Sequence, residues 1–404
     1  MTNIEGEGGR RVRRSLNGRW ANRAVLGVAV AAGAVVVAAV PASASTAAPA
    51  SPVVGHVYVN DNTAGTNTIG AFDRHADGTL TRESGSPFAA GGAGTGAGLA
   101  SQGALQISPD GRFLIAADAG SNQISVLRIN SDGSLRLIPG GVVSSGGVLP
   151  VSVAVHDDLV YVANAGTGGS NYTGFRLAPS GRLDPIPGST VGLPDAAQPG
   201  DVLFNGTGTK LVGTRVGTSQ IDSFTVGASG RLRAATGSPF SAQGLGPFGS
   251  EFRPTNPDEV FVSNAHNVAA GSGTVSAFHD AVDGTLSPIG SSPFPDLQTA
   301  PCWVEITHDG RFLFTVNTGS GTISRYSIAS GGALTLLGST PVKATGGVGA
   351  VDPRLSPDGH FLYVDESAAG AVAAFTVHGG DLAELSSSPT SLPAGATAAG
   401  IVVT

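Results

Sequence analysis

Between residues 301 and 338 the apolar positions fall into four short runs, 303–307, 312–316, 322–328 and 334–337, rich in β-branched and aromatic residues. Turn-forming residues separate them: His308-Asp309-Gly310, the loop 317–321, and Gly331-Gly332. Asp-Gly and Gly-Gly between such runs are hairpin signals, because tight primed turns need residues that tolerate positive φ. Four strands joined in this way form an antiparallel meander. One meander of this size leaves its faces uncovered, so it predicts neighbours of the same kind.

The neighbours recur along the chain. Gly-x-Leu stands at the third turn of seven copies: Gly78-Thr79-Leu80, Gly133-Ser134-Leu135, Gly181-Arg182-Leu183, Gly230-Arg231-Leu232, Gly284-Thr285-Leu286, Gly332-Ala333-Leu334 and Gly380-Asp381-Leu382. Successive leucines are 55, 48, 49, 54, 48 and 48 residues apart. The strand before the long loop keeps step at 57–61, 114–118, 160–164, 211–215, 260–264, 313–317 and 362–366. A four-strand repeat of roughly 40–50 residues is the mark of a propeller blade. The expected fold is all-β: a seven-bladed β-propeller of four-stranded antiparallel blades.

The ends of the repeat predict how the ring closes. The first copy opens at its second strand, 56–60, with no innermost strand before it, and the chain ends in Ala399-Gly400-Ile401-Val402-Val403-Thr404, an innermost-strand pattern. The C-terminal strand is expected to pair into the first blade, which covers two open edges. Gly-Ser-Pro-Phe at 85–88 and 237–240, with Ser292-Pro293-Phe294, is expected at the crossover from an outer strand to the next blade, its Phe packed between blades. Two stretches interrupt the repeat, 89–103 and 265–273. Both read as solvated slack, with ligand-binding loops as the alternative.

Residues 1–44 stand outside the pattern. Arg10, Arg11, Arg13, Arg14, Arg19 and Arg23 precede an apolar stretch, 24–40, and Ala42-Ser43-Ala44 is a small-x-small cleavage site. This is the layout of an export signal, cleaved after Ala44. The alternative is a retained anchor, since 17 apolar residues are at the short limit for a span. Arg13-Arg14-Ser15-Leu16 loosely resembles a twin-arginine signal. Residues 45–54 then form a flexible lead-in and 55–404 the propeller domain. Cleavage removes six Arg and two Glu and leaves 16 basic and 27 acidic residues, a net charge of −11. Such a body argues against nucleic acid or an anionic membrane as partner. Cys302 is the only cysteine, so no disulfide can form within the chain. The 61 glycines and 25 prolines suit a fold that turns every few residues.

Candidate chemistry comes from aligning the copies on their first turn, Ser108-Pro109-Asp110-Gly111, Thr307-His308-Asp309-Gly310 and Ser356-Pro357-Asp358-Gly359. Two places earlier stand Gln106, Glu305 and Arg354; the less regular copies put Ala154, Leu203 and Glu251 there. Polar side chains inside apolar strands are costly unless paired or wetted. This position is therefore expected to meet water or its own kind near the central channel. Arg354 and Arg253 suit a carboxylate or phosphate, with Gln106 beside them as a further substrate-binding candidate. Glu305, Glu251 or His156 suits proton transfer. The same residues also fit inter-blade ion pairs, and His156 fits a bond to its own turn beside Asp157 and Asp158. No His/Cys set has zinc spacing, no carboxylate run matches a calcium loop, and there is neither a Gly-x-Ser-x-Gly elbow nor a phosphate loop. No metal or other cofactor is expected.

Val160-Tyr161-Val162-Ala163-Asn164 and the stretch 313–317 resemble the YVTN-type strand of bacterial propellers. The stretches 156–188 and 299–326 resemble secreted actinobacterial members of the seven-bladed lactonase family, which is similar to 6-phosphogluconolactonase and the fungal carboxymuconate-lactonizing enzyme. The resemblance covers about residues 55–404. It implies lactone ring opening or closing on small sugar acids or muconates without a metal. Where cytosolic members carry a His-x-His pair into the inner strand of blade 2, this chain reads Ser101-Gln102-Gly103-Ala104-Leu105-Gln106, while Asp118-Ala119-Gly120 keeps the Asp-x-Gly that follows. The expected protein is a secreted, monomeric, lactonase-like hydrolase of a small sugar-acid lactone or related ester, with its site at the mouth of the channel. The alternative is a non-catalytic extracellular binding or scaffold propeller with a protein partner.

Overall fold

A computed structural model describes residues 51–266, 269–343 and 349–404. The export signal expected at 1–44, and residues 45–50 of the lead-in, lie outside the described residues. The described chain forms seven separate antiparallel sheets, each a meander read from the inside out. Blade 6 is the simplest: Pro301–Ile306, Phe312–Asn317, Thr322–Ile328 and Leu334–Pro341. Its inner strand pairs with the second, the second with the third, and the third with the outer. The inner strands of blades 2 to 7 are Leu105–Ile107, Pro150–His156, Pro199–Phe204, Pro247–Arg253, Pro301–Ile306 and Ala350–Leu355. Two short 3-10 turns are the only helical elements among the described residues.

Blade 1 is completed by the other end of the chain. Ile401–Val403 is its inner strand, with Val59 opposite Ile401, Tyr58 opposite Val402 and Val57 opposite Val403. Arg74 donates from Nε to the Thr404 carbonyl at 3.0 Å, and the His56 amide donates to Thr404 Oγ1 at 3.0 Å. The partner strand runs Val53–Asn60, two residues earlier than position 55, with a register shift between Val53 and Gly55 before regular pairing sets in.

Each blade packs against the next through its own apolar cluster. Phe113, Val126, Val153 and Phe175 join blades 2 and 3; Phe261, Val275, Val304 and Tyr326 join blades 5 and 6; Val59, Tyr363, Val372 and Ile401 join blades 7 and 1. The signature glycines are part of the same seams. All seven have φ between 80° and 90°, a left-handed conformation that side chains resist. Tyr58, Tyr161 and Tyr363, fully buried in second strands, donate their hydroxyls to the carbonyls of Gly133, Gly230 and Gly78 in the following blade. A Cβ at Gly78 would overlap Phe361, and one at Gly380 would overlap Phe312. The repeat thus preserves a turn and an inter-blade contact at once.

The Ser-Pro-Phe stretches differ from expectation. They do not form the crossover but break the outer strand in two: Leu80–Arg82 and Phe88–Ala89 both pair with the third strand of blade 1. Between the halves, Ser86 Oγ accepts the Ala71 amide at 2.8 Å; Ser238, Ser292 and Ser388 do the same for Ser223, Ala277 and Ala374. A serine hydroxyl therefore replaces the missing ladder bond. The phenylalanine does pack between blades, Phe294 beside Val304 and Leu313 of blade 6.

A polar position closes the loop end of each second strand. Asn317 donates to Ser324 Oγ at 2.8 Å, Asn264 to Ser276 Oγ at 2.9 Å, and Asp118 accepts from Ser125. In blade 7 the corresponding pair is Glu366 and Ala373, and neither carboxyl oxygen of the fully buried Glu366 has a partner. Burial, then the nearby Glu384, pushes this carboxyl up to about 8.

Two outcomes follow. Truncation after Gly400 removes the buried Ile401 and Val402 and reopens two sheet edges; it should cost roughly 3–6 kcal/mol and lower the Tm of the whole ring, measured by thermal denaturation. Glu366 binds its proton more tightly folded than unfolded, so its contribution is intact below about pH 4 and lost as pH rises toward 8. Glu366→Gln should melt several degrees above the parent at pH 8.5, and the gap should close by pH 5.

Candidate functional site

The inner strands surround the channel, and their pairing registers define equivalent positions. Gln106, Ala154, Leu203, Glu251, Glu305 and Arg354 lie opposite Ile115, Tyr161, Val212, Phe261, Phe314 and Tyr363 of their blades' second strands, and Val402 takes the equivalent place opposite Tyr58 in blade 1. Two places earlier stand Ala104, Ser152, Asp201, Gly249, Trp303 and Asp352, nearer the face that carries the long loops. The first ring lies toward the opposite face, where the Asp-Gly turns are.

The structure brings three of the candidates together. Arg354 Nη1 donates to Glu305 Oε2 at 3.1 Å, and the Leu355 amide donates to Glu305 Oε1 at 2.9 Å. Glu251 lies near both, and Asp352 and Asp201 complete a group of four carboxylates around one guanidinium. Burial, followed by repulsion from Glu305, holds the Glu251 carboxyl well above its usual range. Burial pushes Asp352 up to about 7, with Arg354 opposing it. It pushes Asp201 up to about 6 against hydrogen bonds from the Ser250 hydroxyl (2.6 Å), the Ser250 amide (2.9 Å) and Ser152 (3.1 Å). Glu305 is also raised by burial, and Arg354 and the Leu355 amide pull it back. Four carboxylates cannot all ionise around one cation in so small a volume, so protons are shared among them.

The other candidates sit elsewhere. Arg253 is spent on the next blade: Nε donates to the Gly310 carbonyl at 2.8 Å, and Nη1 to Glu259 at 2.9 Å and the Ala329 carbonyl at 3.0 Å. It bolts blade 5 to blade 6. His156 lies between the turns of blades 3 and 4, with Nε2 3.6 Å from Asp157 Oδ2 and its ring 6.1 Å from that of Phe204. Gln106 remains in the channel, its amide below Gly103.

The stretch 89–103 is no slack loop. Its middle is pinned over blade 1, where Asn62 Nδ2 donates to the Ala97 carbonyl and the Gly96 amide to the Asn62 carbonyl at 2.9 Å. Its end descends into the channel and bonds five blades. Ser101 Oγ donates to the Val151 carbonyl at 2.7 Å, and Trp303 Nε1 donates to the Ser101 carbonyl at 2.8 Å. The Gln102 amide reaches the Gly200 carbonyl, its Nε2 the Ser250 carbonyl, and its Oε1 accepts the Val304 amide, each at 3.0 Å. The Gly103 amide donates to Asp352 Oδ2 at 3.3 Å. A Cβ at Gly249 would overlap Gln102 Oε1 and the Cys302 carbonyl, so this glycine makes room for the glutamine. Residues 101–103 form a plug. The ring at the plug's level is almost fully buried, while Gln106, Leu203, Glu251 and Arg354 below it keep accessible surface, 24% for the Arg354 side chain.

Sequence reasoning missed the plug, and with it Asp201, Asp352 and Gln102. Counting back four places as well as two would have exposed the two aspartates as polar residues in apolar strands. The contacts of Gln102 carry no local signal. Among the described residues no group of three or more His, Cys, Asp and Glu side chains is arranged to hold a metal ion.

Comparison with known proteins adds the lineage. The profile of the family described as "Lactonase, 7-bladed beta-propeller" matches residues 56–195 and 252–349. No curated protein sequence matches the chain. Among solved structures, the periplasmic gluconolactonase of Pseudomonas aeruginosa aligns with a TM-score of 0.67 at 17% identity, over 87% of this chain and 99% of that one. A Bacteroides fragilis protein carrying a provisional 6-phosphogluconolactonase name aligns with a TM-score of 0.67 at 18% identity, over 87% and 98%. A Lactobacillus plantarum protein gives 0.67 at 19% identity, over 87% and 99%. At these identities the likeness is one of fold.

Gly249→Ala should displace the plug and Gln102→Ala should leave the Val304 amide and Ser250 carbonyl unpartnered, at about 2–4 kcal/mol for the latter. Chemical denaturation measures the loss, and limited proteolysis should show faster cutting near residues 97–101 in the glycine variant.

Proposed function

Because this chain belongs to the seven-bladed β-propeller lactonase family, we propose that it is a secreted lactonase-like hydrolase that opens a small sugar-acid lactone or related ester without a metal. The observation that carries the reading is the Arg354–Glu305 pair beside Glu251, in the accessible part of the channel below the plug. Secretion rests on the sequence of residues 1–44.

The residues divide the work as follows. The lactone reaches the channel from the turn face, since residues 101–103 fill the other side. Arg354, held by Glu305 through one nitrogen, turns its remaining N–H groups to the carbonyl oxygen and stabilises the oxyanion. Glu305, on which Arg354 and the Leu355 amide oppose the upward push of burial, takes a proton from the attacking water. The new C–O bond forms, the ring C–O bond breaks, and Glu251, held protonated by burial, gives its proton to the departing ring oxygen. Gln106 hydrogen-bonds a substrate hydroxyl. Ala154 and Leu203 form the apolar side of the same ring.

The test is turnover of an aldonolactone panel by the purified protein in a pH-stat. Hydrolysis should exceed the buffer rate, and Glu305→Gln and Arg354→Ala should each lower kcat/KM by about 10²–10⁴-fold. No acceleration over buffer, or full activity in both variants, would overturn the reading in favour of a non-catalytic propeller.

A further inference from the structure

We infer that the cavity beside the plug on the loop face is a binding site for a small primary ammonium ion. This cavity holds about 210 Å³ and is separate from the lower half of the channel. Leu99, Val351, Ala398 and Ala399 give it apolar walls, and the exposed Gly98 lies at its edge. The space suits a head group with a few carbon atoms.

The polar groups lining it decide what that head must be. Thr318 Oγ1 donates to the Ala350 carbonyl at 2.9 Å, and Ser367 Oγ to the Gly349 carbonyl at 3.2 Å. Ser101 Oγ and Trp303 Nε1 are spent on backbone carbonyls as well, at 2.7 Å and 2.8 Å. The side-chain donors of the wall are therefore engaged. Asp352 is different. It is 1% exposed, its Oδ2 holds the Gly103 amide, and its Oδ1 has no partner. A buried acceptor without a donor is costly, and a carboxylate more so. A ligand that brings N–H donors and a positive charge satisfies both needs, and a short hydrocarbon tail fits the remaining wall. An anion would meet Asp352 and, behind it, Glu305, Asp201 and Asp365, against the single cation Arg354.

Those neighbours also set the pH response. Asp352 faces Arg354 on its own strand, Glu305 on the neighbouring inner strand of blade 6, Glu251 and Asp201 on those of blades 5 and 4, and Asp365 on the adjoining second strand. The ammonium binds the ionised carboxylate, so affinity rises as pH passes from 5.5 to 8, below the range where the amine loses its proton.

The experiment is a titration of the full chain with n-propylammonium chloride, using 1-propanol as the neutral control. Trp303 lines the cavity, and Trp20 is the only other tryptophan, so Trp20→Phe makes fluorescence a local reporter. Calorimetry runs alongside. The expected result is saturable binding at pH 8, at least tenfold weaker at pH 5.5, lost in Asp352→Asn, kept in Glu305→Gln and not given by 1-propanol. Absence of binding at pH 8, equal binding of the alcohol, or unchanged binding in Asp352→Asn overturns it. If Asp352→Asn does not fold, Leu99→Phe, which fills the cavity from the plug side without adding a tryptophan, must abolish the fluorescence change; a surviving change overturns the proposal. Glu305→Gln separates this site from the lactone site: it silences turnover there and leaves ammonium binding here.

Discussion

A blade of this protein is a single twisted sheet, and a single sheet has no inside. Every apolar side chain it carries must be buried against another blade, so the seams between blades are the hydrophobic core. That constraint explains the most regular features of the chain. The second strands are buried over most of their length, Phe113–Asp118 and Leu159–Asn164 at every position, because they lie mid-sheet between two neighbours. The signature glycines recur because the seam passes over them, with a tyrosine hydroxyl on the carbonyls of Gly78, Gly133 and Gly230 and a neighbouring blade's side chain where a Cβ would be. Closure follows from the same need: without residues 401–403, blade 1 lacks its inner strand and the seam with blade 7 loses Ile401.

The ring then creates what no blade contains, a narrow axis onto which inner strands converge from every side. Backbone there can be satisfied only from the axis itself. Residues 101–103 do this, reaching the inner strands of blades 3 to 7 from one short segment. The plug works as a structural hub and also as a divider. Below it lie Arg354 and Glu251 with accessible surface and the buried Glu305 paired to the arginine; beside it lies the cavity whose wall includes Asp352. The four carboxylates and the guanidinium are coupled through a low-dielectric centre, where burial outweighs the pairwise attractions and keeps protons on acids that would be ionised in water. At a propeller axis, chemically identical side chains thereby hold their protons with unequal strength.

The candidate residues were unequally legible. Glu305, Arg354, Glu251 and Gln106 could be found because polar residues broke an apolar pattern at one repeating place, and strand pairing puts them in one ring. Arg253 and His156 broke the pattern too, but two places along, where inner strands give way to turns and side chains turn toward the neighbouring blade. The stretch 89–103 was visible only as an interruption. Its low complexity resembles that of a solvated loop, since glycine and alanine give no clue to what their backbone bonds. The Ser-Pro-Phe stretches lie at the outer edge, where a hydroxyl that caps a broken ladder looks like any turn serine.

The amino-acid order by itself determined the number of blades, the strand order within each, the register of the inner ring and the strand that shuts the circle. These rest on period-2 alternation and on turn chemistry, which are local, and on a repeat length, which can be counted. Only the tertiary structure decided which polar residues share a space, which are consumed in bolting blade to blade, and that an inserted segment fills the axis. Those outcomes join residues as much as 249 and 285 positions apart through distance and burial, and neither quantity is written in any short stretch of chain.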